Sequence, residues 1–187
     1  MPPGDFAASL AWRPPGGPAA WGLRSFAASL ALLEALEGLG VDGLALKWPN
    51  DVLRDGGKLA GILLESPGDG LVILGIGVNL VPAARDVEAG AVPPAALDGA
   101  VAPGALLAAL VPAFAAWEDR LVTEGFAPLR AAWLARAARL GEEVTARTMT
   151  ETIRGTFRDV DAEGHLVLDT PQGARRIAAA DVFFEDA

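Results

Sequence analysis

The chain has 187 residues, which is enough for one domain of ordinary size or for one domain with a small appendage. Its net charge of −9 and pI of about 4.6 argue against a general nucleic-acid-binding protein, which would present a basic surface. The absence of cysteine excludes disulfides, thiol catalysis and zinc–thiolate sites, and the single histidine, His165, excludes a multi-histidine metal site.

The sequence also predicts neither a membrane span nor an export signal. No run of about 18 uninterrupted apolar residues occurs, so no transmembrane helix is expected. The first residues, Met-Pro-Pro-Gly-Asp, do not have the pattern of a signal peptide. The sequence therefore predicts a soluble, cytoplasmic protein without a membrane partner.

The N-terminal part of the chain predicts a strand, a helix and a group of short strands. Residues 5–13 predict a strand, which is followed by a Pro-Gly-rich segment. Residues 19–39 predict a helix, because large apolar residues recur there at helical spacing and glycines end the run. Residues 44–80 predict three short apolar strands, with turns at 55–57 and 67–70.

The rest of the chain predicts two helices and then a second group of strands. Residues 81–103, rich in Ala, Pro and Gly, predict a long irregular connection, and residues 103–121 and 126–139 predict helices. Short strands separated by turn residues follow, a pattern typical of a small barrel or rolled sheet. We therefore predict an α+β protein with domains at 1–140 and 141–187.

A cluster of polar residues surrounds a Trp-Pro pair at the end of the first apolar strand. Proline keeps the residue before it out of the helical region, so Lys47, Asn50 and Asp51 should lie around a rigid corner. A lysine, an amide and a carboxylate suit a polyanionic substrate with a divalent metal, and Lys58 adds a second positive charge. From spacing alone, a surface hairpin with solvated charges explains the cluster equally well.

Further polar groups and glycines fall on the neighbouring strands. If these strands pair antiparallel, Lys58, Glu65 and Asn79 can gather with the corner over an apolar floor, as in small-molecule sites. Gly75 and Gly77 lack the third glycine and the following helix of a phosphate-binding motif. These glycines are better explained by the close approach of a ligand or of a neighbouring backbone.

Three motifs, KWPNDVL, GGKLAGILLE and LGIGVNL, occur in this order and closely resemble the catalytic domain of biotin protein ligases. PPGDFAASL resembles the family's sequence before its first helix, and residues 154–184 resemble its small C-terminal domain. The resemblance covers in effect the whole chain. It implies a mixed or antiparallel sheet with packed helices, like that of class II aminoacyl-tRNA synthetases, followed by an SH3-like β-barrel.

The resemblance also implies a two-step reaction. The carboxylate of biotin attacks the α-phosphate of ATP, which gives biotinyl-5′-AMP and pyrophosphate, and a lysine of a biotin carboxyl carrier protein then displaces AMP. ATP, Mg²⁺, biotin and the carrier are the implied ligands and partners. Two alternatives stay open, namely a lipoate or octanoyl transferase of the same superfold and a truncated, non-catalytic protein that binds the carrier or an adenylate.

Roles for individual residues follow from their match to the family's motifs. Lys58 matches the lysine that contacts the biotin carboxyl group and the α-phosphate, and Asp51 is the candidate for orienting or deprotonating the incoming amine. Asp51 and Asn50 match positions near the metal, and Lys47 would assist the phosphates. The implied cofactor-binding positions are Lys47, Trp48, Asn50, Gly61, Gly75, Gly77 and Asn79.

The sequence departs from the family at its N-terminal end. Family members carry, before the segment that matches residues 2–4, a region with a serine/threonine-asparagine motif and an arginine-glycine-rich loop. We expect this sequence to lack that region, and also to lack an N-terminal DNA-binding domain and repressor activity. The resemblance is compatible with a homodimer.

Overall fold

The computed structural model of the protein describes residues 5–82 and 92–184. The Pro-Pro-Gly start and part of the predicted connection 81–103 lie outside the described residues. The first of two sheets is antiparallel and contains β1 (Phe6–Trp12), β2 (Leu44–Lys47), β3 (Asp51–Arg54), β4 (Gly57–Gly68) and β5 (Leu71–Val78). Its strand order is β1-β5-β4-β3-β2.

This sheet has one buried face, as the alternation along β5 shows. Val72, Leu74, Ile76 and Val78 are buried, whereas the residues between them, including the glycines, are only partly buried. The prediction of three strands in residues 44–80 is wrong, because the structure has four. The Trp-Pro corner reverses the chain, so that β2 and β3 pair with each other.

The helices are α1 (Pro18–Trp21), α2 (Arg24–Gly38), α3 (Pro103–Glu124) and α4 (Phe126–Leu134). The single helix predicted at 19–39 is thus interrupted before Arg24. α2 is the central helix, and it packs against β2, β3, β4 and both later helices. No helix in residues 5–82 and 92–184 combines the length and the apolarity needed to cross a membrane.

The predicted helix at 126–139 ends earlier than expected, at Leu134. The backbone that follows is used elsewhere: Leu46 N–H donates to Arg136 O at 2.8 Å, and Ala138 N–H donates to Leu46 O at 2.8 Å. These bonds attach residues 136–138 to the outer edge of β2. A helix cannot continue through backbone groups that pair with a strand.

The second sheet contains β6 (Glu143–Arg147), β7 (Thr152–Val160), β8 (Leu166–Thr170), β9 (Gly173–Ile177) and β10 (Asp181–Phe183), in the order β10-β6-β7-β8-β9. Residues 174–184, whose sequence predicts a single last strand, are therefore divided between two strands at opposite edges of the sheet. No pairing between β9 and β10 occurs among the described residues, so the sheet is antiparallel and open there. The predicted closure into an SH3-like barrel is not seen.

Candidate functional site

A cleft of about 590 Å³ opens over the face of the first sheet that carries the glycines. The corner between β2 and β3 forms one end of the cleft, and the beginning of β4 contributes Lys58. The second sheet supplies part of the wall through Ala180, Asp181 and Val182, on and next to β10. The cleft is thus built by both sheets.

The register of the first sheet explains the shape of the cleft floor. Ala7 pairs with Gly77, Gly77 with Gly61, Gly61 with Asp51, and Asp51 with Lys47, so these five residues form one row across five strands. Three of them carry no more than a methyl group, and the last two carry opposite charges. The floor is therefore open along most of its length and charged at one end.

The charged end consists of one carboxylate between two ammonium groups. Asp51 Oδ1 lies 2.7 Å from Lys58 Nζ, and Asp51 Oδ2 lies 3.5 Å from Lys47 Nζ. Lys47 and Lys58 are the only two lysines in the whole sequence. Two positive charges face one negative charge, so these three residues carry about +1 when both lysines are protonated, and this end of the cleft can attract an anionic ligand.

The two lysines differ in their surroundings. Lys58 has 46% of its side chain exposed, so it can move toward a ligand, whereas Lys47 is buried. Burial lowers the pKa of Lys47 below its ordinary value, and the charge of Lys58 acts in the same direction, while Asp51 opposes both. The ammonium group of Lys47 also lies 5.9 Å from the centre of the Phe184 ring.

The two asparagines of the predicted site hold backbone in place. Asn50 Nδ2 donates to Ile62 O at 2.6 Å, and Ile62 N–H donates to Asn50 O at 2.9 Å, which fastens the corner to β4. Asn50 also lines the cleft. Asn79 Nδ2 donates to Lys58 O at 3.1 Å and to Ala95 O at 3.0 Å, and it does not line the cleft.

Trp48 points away from the cleft. Its side chain is buried, and its indole N–H donates to Gly164 O in the turn between β7 and β8, at 3.0 Å. The structure thus separates Trp48 and Asn79 from the rest of the predicted site. The predicted residues that it does bring together around the cleft are Lys47, Asn50, Asp51, Lys58, Gly61, Gly75 and Gly77.

The cleft does not supply a suitable ligand set for Mg²⁺ at the predicted positions. Both oxygens of Asp51 face ammonium groups, and the side chain of Asn50 could add no more than its one amide oxygen. A divalent cation prefers several oxygen ligands without competing positive charges. We therefore assign no metal-binding role to Asp51 or Asn50.

Some cleft residues were missed by the sequence reasoning. Ser9 and Leu63 lie in the row next to Gly75, and their position follows from strand alternation once the pairing of β1, β4 and β5 is known. No sequence pattern indicated Asp181, because it reaches the cleft from an edge strand of the second sheet. Its carboxylate lies 3.7 Å from Arg147 Nη2, and its charge partly opposes the lowering of the Lys47 pKa by burial.

Two family models match the chain. Residues 1–79 match the biotin/lipoate A/B protein ligase family, and residues 140–185 match the biotin protein ligase C terminal domain. Among solved structures, a biotin protein ligase from Aquifex aeolicus in complex with biotin and ATP superposes with a TM-score of 0.81 at 22% identity, over 96% of this chain and 77% of that one. At this identity the likeness shows the fold.

Curated relatives give stronger evidence. A biotin–[acetyl-CoA-carboxylase] ligase from Paracoccus denitrificans is 53% identical over 197 aligned positions, which cover 98% of this chain and 82% of that protein. A ligase of the same name from Mycobacterium tuberculosis is 36% identical, over 87% of this chain and 62% of that protein. The bifunctional ligase/repressor of Bacillus subtilis is 30% identical, and this chain covers 50% of it. The chain belongs to the biotin protein ligase family.

Proposed function

We propose that the protein is a biotin protein ligase, which activates biotin with ATP and transfers it to a lysine of a biotin carboxyl carrier protein. The observation that carries this proposal is the Lys47–Asp51–Lys58 cluster at the end of a bare sheet floor. Activation brings a carboxylate and a triphosphate together, and like charges repel. A cluster with excess positive charge, half shielded from water, reduces that repulsion.

In the first step, a carboxylate oxygen of biotin forms a bond to the α-phosphorus of ATP, and the bond from that phosphorus to the bridging oxygen breaks. Pyrophosphate leaves with the electron pair, and biotinyl-5′-AMP stays in the cleft. Lys58 is the group best placed to follow the developing charge, because its ammonium is half exposed and faces the cleft. Positioning of the two reactants supplies much of the remaining acceleration.

In the second step, the amine of the carrier lysine attacks the acyl carbon, and the bond from that carbon to the AMP oxygen breaks. The attacking nitrogen must lose a proton. When Lys58 turns toward the phosphate, the Oδ1 oxygen of Asp51 loses its 2.7 Å partner and faces the cleft, where it can accept a hydrogen bond from the amine. Asp51 therefore orients the amine and takes up its proton.

The glycines of the floor leave room for the ligand. A Cβ added to Gly61 would lie 3.6 Å from both Asp51 Oδ1 and Lys58 Cε, and 3.7 Å from Lys58 Nζ, so the protein itself has space for it. A methyl group at this point would nevertheless occupy the surface beside the charged pair. We assign the floor at Gly61, Gly75 and Gly77 to biotin and the charged end to its carboxyl group and the phosphates.

The remaining parts of the proposal concern organisation and partners. We propose that residues 1–140 form the catalytic domain and residues 141–187 a C-terminal domain of the SH3-like type. Mg²⁺ would accompany ATP through the phosphates rather than through Asp51. A cytoplasmic location and a homodimer stay predictions.

The test is transfer of biotin to an apo carrier domain in the presence of MgATP, with the product detected by mass. We expect the 187-residue chain to label the carrier, and we expect Lys58→Ala to reduce the rate by about 10²-fold or more. Arg158→Ala is the control, because Arg158 is similarly exposed and ion-paired but lies on the second sheet, away from the cleft. An unlabelled carrier in the wild-type reaction would refute the proposal for this chain.

Parallel reactions separate the alternatives. Lipoate or octanoate used in place of biotin would label the carrier if the protein were a transferase of the related type. Carrier binding without release of AMP would identify a non-catalytic binding protein. Equal rates for wild type and Lys58→Ala would overturn the role given to Lys58.

A further inference from the structure

The corner that carries the charged residues is held from the second sheet. Trp48 stands between Lys47 and Asn50 in the chain, yet its buried indole extends out of the first sheet and donates to Gly164 O at 3.0 Å. The bond joins residues 116 positions apart. It is a neutral, partly buried hydrogen bond from a buried side chain, and a buried donor without a partner is costly.

Gly164 is itself fixed against the first domain. Its φ of +86° lies in the left-handed region, and an added Cβ would lie 3.0 Å from Phe26 Cε2 and 3.1 Å from Leu23 Cδ2. The turn is also braced internally, because Asp161 Oδ1 accepts the backbone N–H groups of Glu163 and His165. The Gly164 carbonyl oxygen, which accepts the indole N–H of Trp48, is therefore held in a fixed position relative to α2.

The other side of the corner faces the cleft. Lys47 and Asp51 contact each other there, and Asn50 bonds to Ile62 in both directions. A shift of the Trp48 ring would move the backbone on which these three side chains stand. Displacements on the order of 1 Å in a catalytic group cost about 10²-fold in rate.

We propose that Trp48 is a positioning residue, which transmits the placement of the Gly164 turn to Lys47, Asn50 and Asp51. This inference rests on the proposed function only for its kinetic consequence. The mechanical part, that the second sheet sets the position of the corner through one hydrogen bond, stands on the contacts alone. It gives Trp48 a role that does not include contact with a ligand.

Hydrogen exchange tests the mechanical part without any activity. Two amides on β4 serve as probes. Ile62 N–H donates to Asn50 O in the corner, whereas Lys58 N–H, near the start of β4, donates to Pro93 O at 2.7 Å. Trp48→Phe keeps a ring and removes the donor. We expect exchange at Ile62 to rise about fivefold, as for one lost neutral hydrogen bond, with Lys58 unchanged.

Trp21→Phe is the matched control. The indole of Trp21 donates to Gly16 O at 3.1 Å, so the same substitution removes an indole–carbonyl bond that is exposed and away from the corner. We expect no change at Ile62 in this variant. Unchanged exchange at Ile62 in Trp48→Phe, or an equal rise at Ile62 and Lys58, would overturn the proposal.

Kinetics test the consequence. We expect Trp48→Phe to lower kcat for biotin transfer about tenfold, with KM for biotin and for ATP within about twofold of wild type. A rise in either KM with unchanged kcat would make Trp48 a ligand contact and would refute the positioning role. An inactive wild-type enzyme with the expected exchange pattern would refute the proposed function and leave the mechanical coupling intact.

A glycine pair gives an independent second variant. Gly164→Ala crowds the turn against the side chains of Phe26 and Leu23, whereas Gly141→Ala meets nothing within 4 Å at a similar φ of +83°. Both substitutions place a side chain at a similar positive φ, so the difference between them reports the effect of crowding at the turn. We expect Gly164→Ala, but not Gly141→Ala, to reproduce the faster exchange at Ile62, and equal effects of the two would refute the coupling.

Discussion

Replacing Asp51 with asparagine should destabilise the protein through Lys47. At an effective dielectric constant of about 20, unit charges 3.5 Å apart, the separation of Lys47 Nζ and Asp51 Oδ2, attract by about 5 kcal/mol. Neutralising Asp51 also removes the cost of burying its charge, which offsets part of this. Lys58 is half exposed, so its contact with Asp51 adds less than about 1 kcal/mol. We expect a net loss of about 3 kcal/mol in the free energy of unfolding at pH 7.

The loss should depend on pH in a defined direction. Burial already lowers the pKa of Lys47, and removal of its main negative partner lowers the pKa further. Between that lowered pKa and the ordinary pKa of lysine in the unfolded chain, the unfolded state binds more protons, so stability rises with pH. The deficit of Asp51→Asn relative to wild type should therefore be smaller at pH 10 than at pH 7.

Urea unfolding followed by circular dichroism at the two pH values measures this deficit. Asp169→Asn is the control, because its partner Arg158 lies 2.9 Å away in a pair that is about half exposed on both sides. We expect that substitution to cost less than about 1 kcal/mol at either pH. An Asp51→Asn protein as stable as wild type at pH 7, or a deficit that does not change with pH, would refute the reasoning.

Three further substitutions test the fold and the cleft floor. Arg24→Met should lower the free energy of unfolding by about 3 to 5 kcal/mol in urea titrations. Arg24 is buried and ion-paired with Glu118, and the substitution would leave the Glu118 carboxylate without its partner. Arg120→Gln, in an exposed pair, should cost less than about 1 kcal/mol, and equal losses would contradict the burial argument. Gly155→Ala should unfold the second sheet in thermal scans, because its Cβ would lie 2.6 Å from a backbone oxygen. Gly75→Ala should leave the melting temperature unchanged, since the nearest atoms to the added Cβ would be 3.8 Å away. It should weaken biotin binding about tenfold in calorimetry. An unchanged affinity would show that biotin does not lie on that part of the floor.

The spacing of apolar residues predicted most helices and strands, because side chains that become buried recur at the period of each kind of element. The strand at 5–13 and the helix beginning at residue 103 are confirmed within a few residues. The ends of helices that are determined by tertiary contacts could not be predicted from the sequence. The helix after Phe126 stops because residues 136–138 pair with β2, and nothing in the local sequence reports the presence of that edge.

The candidate site also contains residues that the sequence could predict and residues that it could not. Lys47, Asp51 and Lys58 were predictable as one cluster, because they lie on adjacent strands joined by tight turns. The sequence motif gave Trp48 the same standing as its neighbours, and only the structure shows its indole bonded to Gly164 instead. Asp181 illustrates the opposite case, since a residue brought in by a distant strand leaves no local pattern.

The scarcity of lysine has a chemical consequence. A ligase that makes an acyl-adenylate creates an acylating reagent next to its own surface, and lysine amines are the groups that such a reagent modifies. The only two side-chain amines of this protein lie in the cleft, where Lys47 is buried and Lys58 is held by Asp51. The outer surface therefore offers no lysine for self-biotinylation. The same property makes the enzyme convenient to study, because reductive methylation with ¹³C would give lysine signals from the charged cluster alone.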